Sequence, residues 1–309
     1  MLVVDKPRGP TSHDIVSKLR RIFGTRRIGH AGTLDPMATG VLVVLFGEAT
    51  KLSSVLTRES KIYETVVEFG RTTDTLDADG KTTKKIELSP GWLDRAKLSS
   101  ALEVELHREL QVPPQVSAIQ VNGRRAYDVA RAGETLDLAP RDVLVHGLEL
   151  LDVGETSVRV RLRVSKGYYV RAFARDLGSS LGVPALLTEL RRVASGAFHE
   201  NEAVAWPPEA SAPLISVTAA ARRSLFTRAL TPEGAERTRQ GKLLRPEDGL
   251  GDWLAPDGAS ADALEPDNED AVRAVLLDDQ VLALVEPAEL ADHFVVRRGL
   301  LPTNAGPST

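Results

Sequence analysis

The stretch Ser157–Val164 constrains the fold more than any other part of the chain. Val158, Val160, Leu162 and Val164 alternate with Arg159, Arg161 and Arg163. A period of two places the apolar set on one face of an extended strand and three guanidinium groups on the other. Such a strand belongs in a sheet with one covered and one wet face, which is the antiparallel habit. Ile62–Phe69 repeats the pattern, with Tyr63, Thr65, Val67 and Phe69 opposite Glu64 and Glu68. Asp142–Val153 is a third long strand candidate, and the apolar run Val41–Phe46 reads as a strand buried on both faces.

Helical patterns interrupt these strands. Thr11-Ser12 reads as an N-cap. Ile15, Val16, Leu19, Ile22 and Phe23 then recur at helical spacing, and Gly24 marks the end. The other face carries Lys18, Arg20 and Arg21, with Arg26 and Arg27 just beyond. On residues alone, this is either a solvated face or a phosphate contact. Further helices are predicted over about Ala49–Arg58, Trp92–Leu106, Tyr127–Arg131 and Tyr169–Leu181. Val116–Val121 can be a strand, and Asn122-Gly123 is a hairpin signal. The expected fold class is α/β, in its α+β form, on a mixed, largely antiparallel sheet. From about Pro207 the texture changes to proline, alanine and acid. Gly249–Asp270 reads as a loop-like acidic insert, with short strands at Ala274–Val285 and Phe294–Leu300. The expected domains are residues 1–210 and a small β-rich module over 225–309.

Composition narrows the function classes. The chain of 309 residues contains no cysteine, so disulfides, thiolate metal sites and cysteine nucleophiles are excluded. Its start lacks a basic segment followed by a long apolar run, and no apolar run approaches the ~20 residues that span a bilayer. A cytoplasmic protein without membrane contact is expected. The net charge is −4, but residues 251–309 hold 12 acidic and 3 basic residues. The tail therefore carries −9, and residues 1–250 carry +5. A body of that charge permits an RNA partner without demanding one.

The segment Gly29-His30-Ala31-Gly32-Thr33-Leu34-Asp35-Pro36-Met37-Ala38-Thr39-Gly40 is punctuated by glycine and lies between the basic region and the apolar run. It lacks the lysine and spacing of a phosphate-cradling P-loop. His30 and Asp35 alone make a poor metal set. A lone catalytic carboxylate and a turn aspartate bonding its own backbone both remain open.

With Val41-Leu42, this segment resembles the signature of the TruB family, the tRNA pseudouridine-55 synthases. Lys6-Pro7-Arg8-Gly9-Pro10-Thr11-Ser12 resembles the family's opening motif, and Lys61–Glu64 with Thr72–Gly80 its second. Gln111–Pro114, Ser117-Ala118 and Gly123–Ala130 resemble its thumb segment, about 111–138. Ser165–Arg171, Asp176-Leu177-Gly178, Leu190-Arg191-Arg192 and Ser195-Gly196 complete the series in order. The resemblance covers roughly residues 1–200. More faintly, through Gly241 and Ala274–Leu284, the tail resembles the family's small PUA-like domain.

The resemblance implies a pseudouridine synthase fold and an isomerase that converts a uridine of the tRNA T loop (U55) to pseudouridine after base flipping. No cofactor and no metal are implied. Asp35 would be the catalytic carboxylate, Tyr63 would pack on the uracil, and Arg171 would pair with Asp35. His30 would fill the space left by the flipped base, and Leu190 would lie under the base. Lys6, Lys166, Tyr127, Lys18, Arg20, Arg21, Arg26 and Arg27 would contact RNA. The T arm of tRNA is the implied partner, and a monomer is expected. Gln120 departs from the lysine frequent in the family. The competing reading is a tRNA-binding folding factor, which would not need Asp35, Tyr63 and Arg171 together.

Overall fold

A computed structural model describes residues 1–117, 129, 134, 136–257 and 272–300, with backbone alone at 120–121 and 124–125. Its main sheet runs in the order Leu2–Lys6, Thr39–Phe46, Ala185–Ser195, Lys61–Phe69, Ser157–Val164, Val145–Val153. Ile28–His30 and Phe198–His199 add to Thr39–Phe46 and Ala185–Ser195, completing eight strands. Every pairing is antiparallel except that between Thr39–Phe46 and Ala185–Ser195. The sheet is therefore mixed and largely antiparallel, as the alternating patterns predict.

Helix Ser12–Ile22 is closed by a reciprocal cap between Thr11 and Asp14. It packs Ile15, Val16 and Leu19 into the main core. Helices Arg95–Leu106 and Val170–Ser180 cover the same face with Leu98, Leu102, Phe173 and Leu177. On Thr39–Phe46, Leu42 and Val44 enter that core while Val41, Val43 and Leu45 enter a second one behind it. Burial on both faces explains the unbroken apolar run. Ser157–Val164 keeps its wet face: Arg159 pairs with Glu189, and Arg161 bridges Glu64 and Glu149.

Residues 227–254 and 273–299 build a second sheet, ordered Gly249–Leu254, Thr227–Leu230, Arg273–Leu277, Gln280–Pro287, Phe294–Gly299. Alternation again divides its faces. Ala274, Leu276 and Leu284 join the core behind Thr39–Phe46, with Met1, Val3 and Leu52. Val275, Ala283 and Val285 form a separate cluster with Leu230, Ala235 and Phe294.

Several elements differ from expectation. The helix over Ala49–Arg58 is a 3-10 stretch Gly47–Leu52 followed by one α turn, Ser53–Leu56. The long strand predicted from Asp142 begins at Val145 and does not include Asp142; Arg141–Asp142 pairs with Leu110–Gln111 instead. Gly249–Leu254 is a sheet edge, so the loop expected at Gly249–Asp270 does not begin there; residues 258–271 lie outside the described part. Ala274–Val285 is two strands, because Asp278 and Asp279 adopt φ of 47° and 60° and turn the chain. Of the predicted strand Val116–Val121, Gln120–Val121 pairs with Arg124–Arg125, while Ala118, Ile119, Asn122 and Gly123 lie outside the description. The helix predicted at Tyr127–Arg131 falls almost wholly outside it as well. The strand Ala185–Ser195 was not anticipated. Two bulges break its alternation, and Ala, Leu, Glu and Arg favour helices.

Candidate active site

Asp35 lies in the connection between Ile28–His30 and Thr39–Phe46, and its backbone is tied down from several sides. Gly9 N–H donates to Pro36 O at 2.8 Å, and Ala38 N–H to Asp35 O at 3.1 Å. Ser12 Oγ donates to Leu34 O and accepts from Leu34 N–H, at 3.1 and 2.8 Å. Lys6 Nζ donates to Pro7 O, Pro36 O and Ala38 O at 3.0, 3.2 and 2.7 Å. A loop whose polar backbone is satisfied in this way is held in one conformation.

The Asp35 carboxylate does not bond its own backbone. Its Oδ2 accepts from Arg171 Nε at 2.8 Å. Arg171 begins helix Val170–Ser180 and is buried, whereas the Asp35 side chain is 36 % exposed. One guanidinium therefore faces a carboxylate that still reaches solvent. The two other arms of Arg171 are taken: Nη1 donates to Thr75 O and Nη2 to Val116 O, both at 2.9 Å. It thus joins the Asp35 loop, the segment after Phe69 and the stretch around Val116.

A second carboxylate shares this arginine. Asp77 Oδ2 lies 3.9 Å from Arg171 Nε, and its side chain is buried. Asp77 Oδ1 accepts from Thr75 Oγ1 at 2.6 Å and from Asp79 N–H at 3.1 Å. Burial raises its pKa, while Thr75 and Arg171 pull the other way. In the sequence Asp77 stands out only as one residue of the Thr72–Gly80 motif. The missed signal is its acid density, since a loop with three aspartates must find donors for them.

Tyr63 and Leu190 come together through sheet register. Tyr63 opposes Arg192, and Thr65 opposes Leu190, so all four share one face. Leu190 is in the main core and Tyr63 is half-buried against it. His30 ends its strand half-buried, and its Nδ1 has no partner among the described residues. Burial first, then Arg192 and His13, holds its pKa below the ordinary value, which favours the neutral ring.

The expected RNA contacts divide. Lys6 is fully buried, and its ammonium is consumed by the carbonyls under Asp35. It supports the loop and cannot reach a ligand. Burial lowers its pKa to about 8, with Asp35 opposing that shift. Arg20 is half-buried and donates to Ile28 O at 3.1 Å, while Arg27 pairs with Glu48 at 2.6 Å. Lys18, Arg21, Arg26 and Lys166 are exposed. Tyr127 lies outside the described residues. Lys166 lines a groove of about 430 Å³ with Thr50, Lys51, Ser54, Arg58 and Arg298, and no acid among the described residues lines it.

The chain superposes on a solved Cbf5-Nop10-Gar1 complex with a TM-score of 0.69 at 22 % identity, covering 92 % of this chain and 77 % of that one. The fold is that of the pseudouridine synthases. Residues 20–170 match the TruB family pseudouridylate synthase N-terminal domain. The tRNA pseudouridine synthase B of Mycobacterium sp. (strain KMS) is 45 % identical over 86 % of this chain and 91 % of its own length. That of Thermobifida fusca (strain YX) is 42 % identical over 84 % and 91 %. This chain belongs to the TruB family. Among the described residues no helix is long and apolar enough to cross a membrane.

Proposed function

We propose that the protein isomerises a uridine of the tRNA T loop, U55, to pseudouridine, with Asp35 as the reacting carboxylate. The observation that carries this is the Asp35–Arg171 pair, a half-open carboxylate held by a buried guanidinium on a pinned loop. The reaction breaks the bond from ribose C1′ to uracil N1, joins C1′ to C5, and moves a proton from C5 to solvent while N1 gains one. A carboxylate can drive it by attacking C1′ or the uracil ring, or by taking a ribose proton; each route needs it ionised. Arg171 supplies the opposite charge that favours that form. Tyr63 and Leu190, on one face of the sheet, offer an apolar and aromatic floor for the detached base. The tRNA reading draws on the names of the relatives.

The uridine must leave its stack to reach Asp35, at a cost of a few kcal/mol. Neutral His30 can occupy the vacated space without adding charge. Lys18, Arg21 and Arg26, and the basic groove around Arg58, Lys166 and Arg298, suit phosphates on an A-form stem, whose shape is what a protein reads. We assign residues 1–210 to catalysis and 225–309 to a PUA-like module, and place the protein in the cytoplasm as a monomer.

The test uses unmodified tRNA transcript tritiated at uracil C5, in EDTA, with wild type and Asp35→Asn. Tritium release by wild type alone, mapped to one T-loop position, is the expected result. Comparable release by Asp35→Asn would end the assignment of Asp35. No release by wild type that binds tRNA tightly would favour a folding factor.

A further inference from the structure

Arg192 has the largest side chain withdrawn almost completely from solvent among the described residues, at 1 % exposure. Its neighbour Arg191 shows what an arginine on this strand ordinarily does. Arg191 points to the opposite face, reaches Asp5 at 2.9 and 3.1 Å and Glu200 at 2.8 Å, and stays partly exposed. Arg192 has no carboxylate partner among the described residues. Its Nε donates to Val41 O at 2.7 Å, its Nη2 to Gly32 O at 3.0 Å and its Nη1 to Thr33 O at 3.4 Å.

These acceptors bracket Asp35. Gly32 and Thr33 begin the loop, and Val41 follows its end. The Arg192 backbone meets the same end, since Arg192 pairs with Gly40 in parallel register. Gly40 has φ of 96°, and a Cβ there would collide with the Arg192 carbonyl oxygen. At the other end, a Cβ on Gly32, φ 95°, would lie 3.4 Å from Arg192 Nη1. One residue therefore clasps both ends of the loop, while Lys6 and Ser12 hold its middle.

Burying a guanidinium without a counter-charge is costly, and an apolar side chain would fill the space at less cost. What an apolar side chain lacks is a rigid fork of donors aimed in several directions. We infer that Arg192 is a positioning residue for the proposed reaction: by gripping Gly32, Thr33 and Val41 it fixes where the Asp35 carboxylate stands, without touching uridine. The inference rests on Asp35 being the reacting group. Misplacing a reacting group by about 1 Å can cost ~10²-fold in rate.

The experiment compares Arg192→Met and Arg192→Lys with wild type and Asp35→Asn. It measures single-turnover rate, KM, tRNA dissociation constant and thermal midpoint on the full chain. Arg192→Met is expected to lower the rate by ~10²-fold with KM and tRNA binding within about threefold, and Arg192→Lys to recover about a tenth of wild type. A wild-type rate in folded Arg192→Met overturns the inference. So does a rate loss matched by an equal loss of tRNA affinity, which would make the residue a binding one. Failure of both variants to fold also overturns it, in favour of a purely structural part. If Asp35→Asn keeps its rate, the underlying reading fails whatever Arg192 does; if only Asp35→Asn is inactive, the positioning role alone fails.

Discussion

The two sheets treat charge in opposite ways. The main sheet and its loops bury four cations, Lys6, Lys61, Arg171 and Arg192, each at 6 % exposure or less. The C-terminal sheet and its helices bury no lysine or arginine among the described residues. Their buried polar groups are Thr227, Thr238 and the capping carboxylate Asp248. Hidden charge rarely raises stability by itself, because desolvation offsets most of what pairing returns. Lys6, Arg171 and Arg192 all hold the Asp35 loop, and their concentration there marks where the molecule spends stability on geometry. The C-terminal sheet spends nothing comparable, and its buried positions act as packing.

If that contrast is right, substitutions near Asp35 should act on rate more than on stability, and substitutions in the C-terminal core the reverse. The largest effect is expected for Asp35→Asn: a loss of at least ~10³-fold in tritium release, with the urea midpoint barely moved, because the side chain is partly exposed. A midpoint falling in step with activity would break the comparison. Next comes Arg171→Lys. Lysine keeps the charge but cannot reach Asp35, Thr75 O and Val116 O together, so a rate loss of ~10²-fold is expected with a stability loss of ~1–3 kcal/mol. Single-turnover assays and urea titration read the two numbers separately, and near-wild-type values in both would show that charge alone suffices.

How much of this was legible beforehand follows from the same contrast. The pairing of Asp35 with Arg171 was legible because the two motifs that carry it are contiguous and specific. The alternating strands were legible because one face is wet. The strand carrying Leu190 was not, since bulges and helix-favouring residues hide its period. Lys6 was placed among the RNA contacts because a lysine in a motif gives no sign of burial; only the fold turns it inward onto Pro36 and Ala38. The acid density around Asp77 signals a need for donors, but its partner Arg171 lies far along the chain, and nothing local says which donor it finds. The edge strand Gly249–Leu254 was masked by acid and glycine, which strands disfavour except where one edge is open to water.

The C-terminal half of the contrast is tested by Leu284→Ala. Leu284 is 3 % exposed in the core that the second sheet shares with Thr39–Phe46. Removing its side chain should cost ~2–4 kcal/mol in urea unfolding, through lost transfer energy and the cavity left behind. Activity per folded molecule should stay within about twofold of wild type. A large rate loss in the folded variant would mean that packing behind the main sheet is transmitted to the loop, and the division between the two regions would dissolve.

The smallest effect concerns pH. Burial pushes the Glu59 carboxyl up to about 7, against the opposing pull of Lys61 and Arg223. Its folded pKa thus exceeds its unfolded value, so between roughly pH 4.5 and 7 the folded chain binds the proton more than the unfolded chain does. Stability from this group is present below that window and is lost as pH rises through it. Glu59→Gln, neutral throughout, should therefore gain on wild type between pH 5 and pH 8 by ~1–3 kcal/mol, part of which is offset because Lys61 loses a neighbouring negative charge. Thermal midpoints measured across that range decide it. Parallel curves for the two proteins would mean that Glu59 reaches water freely and carries none of the hidden charge of the main sheet.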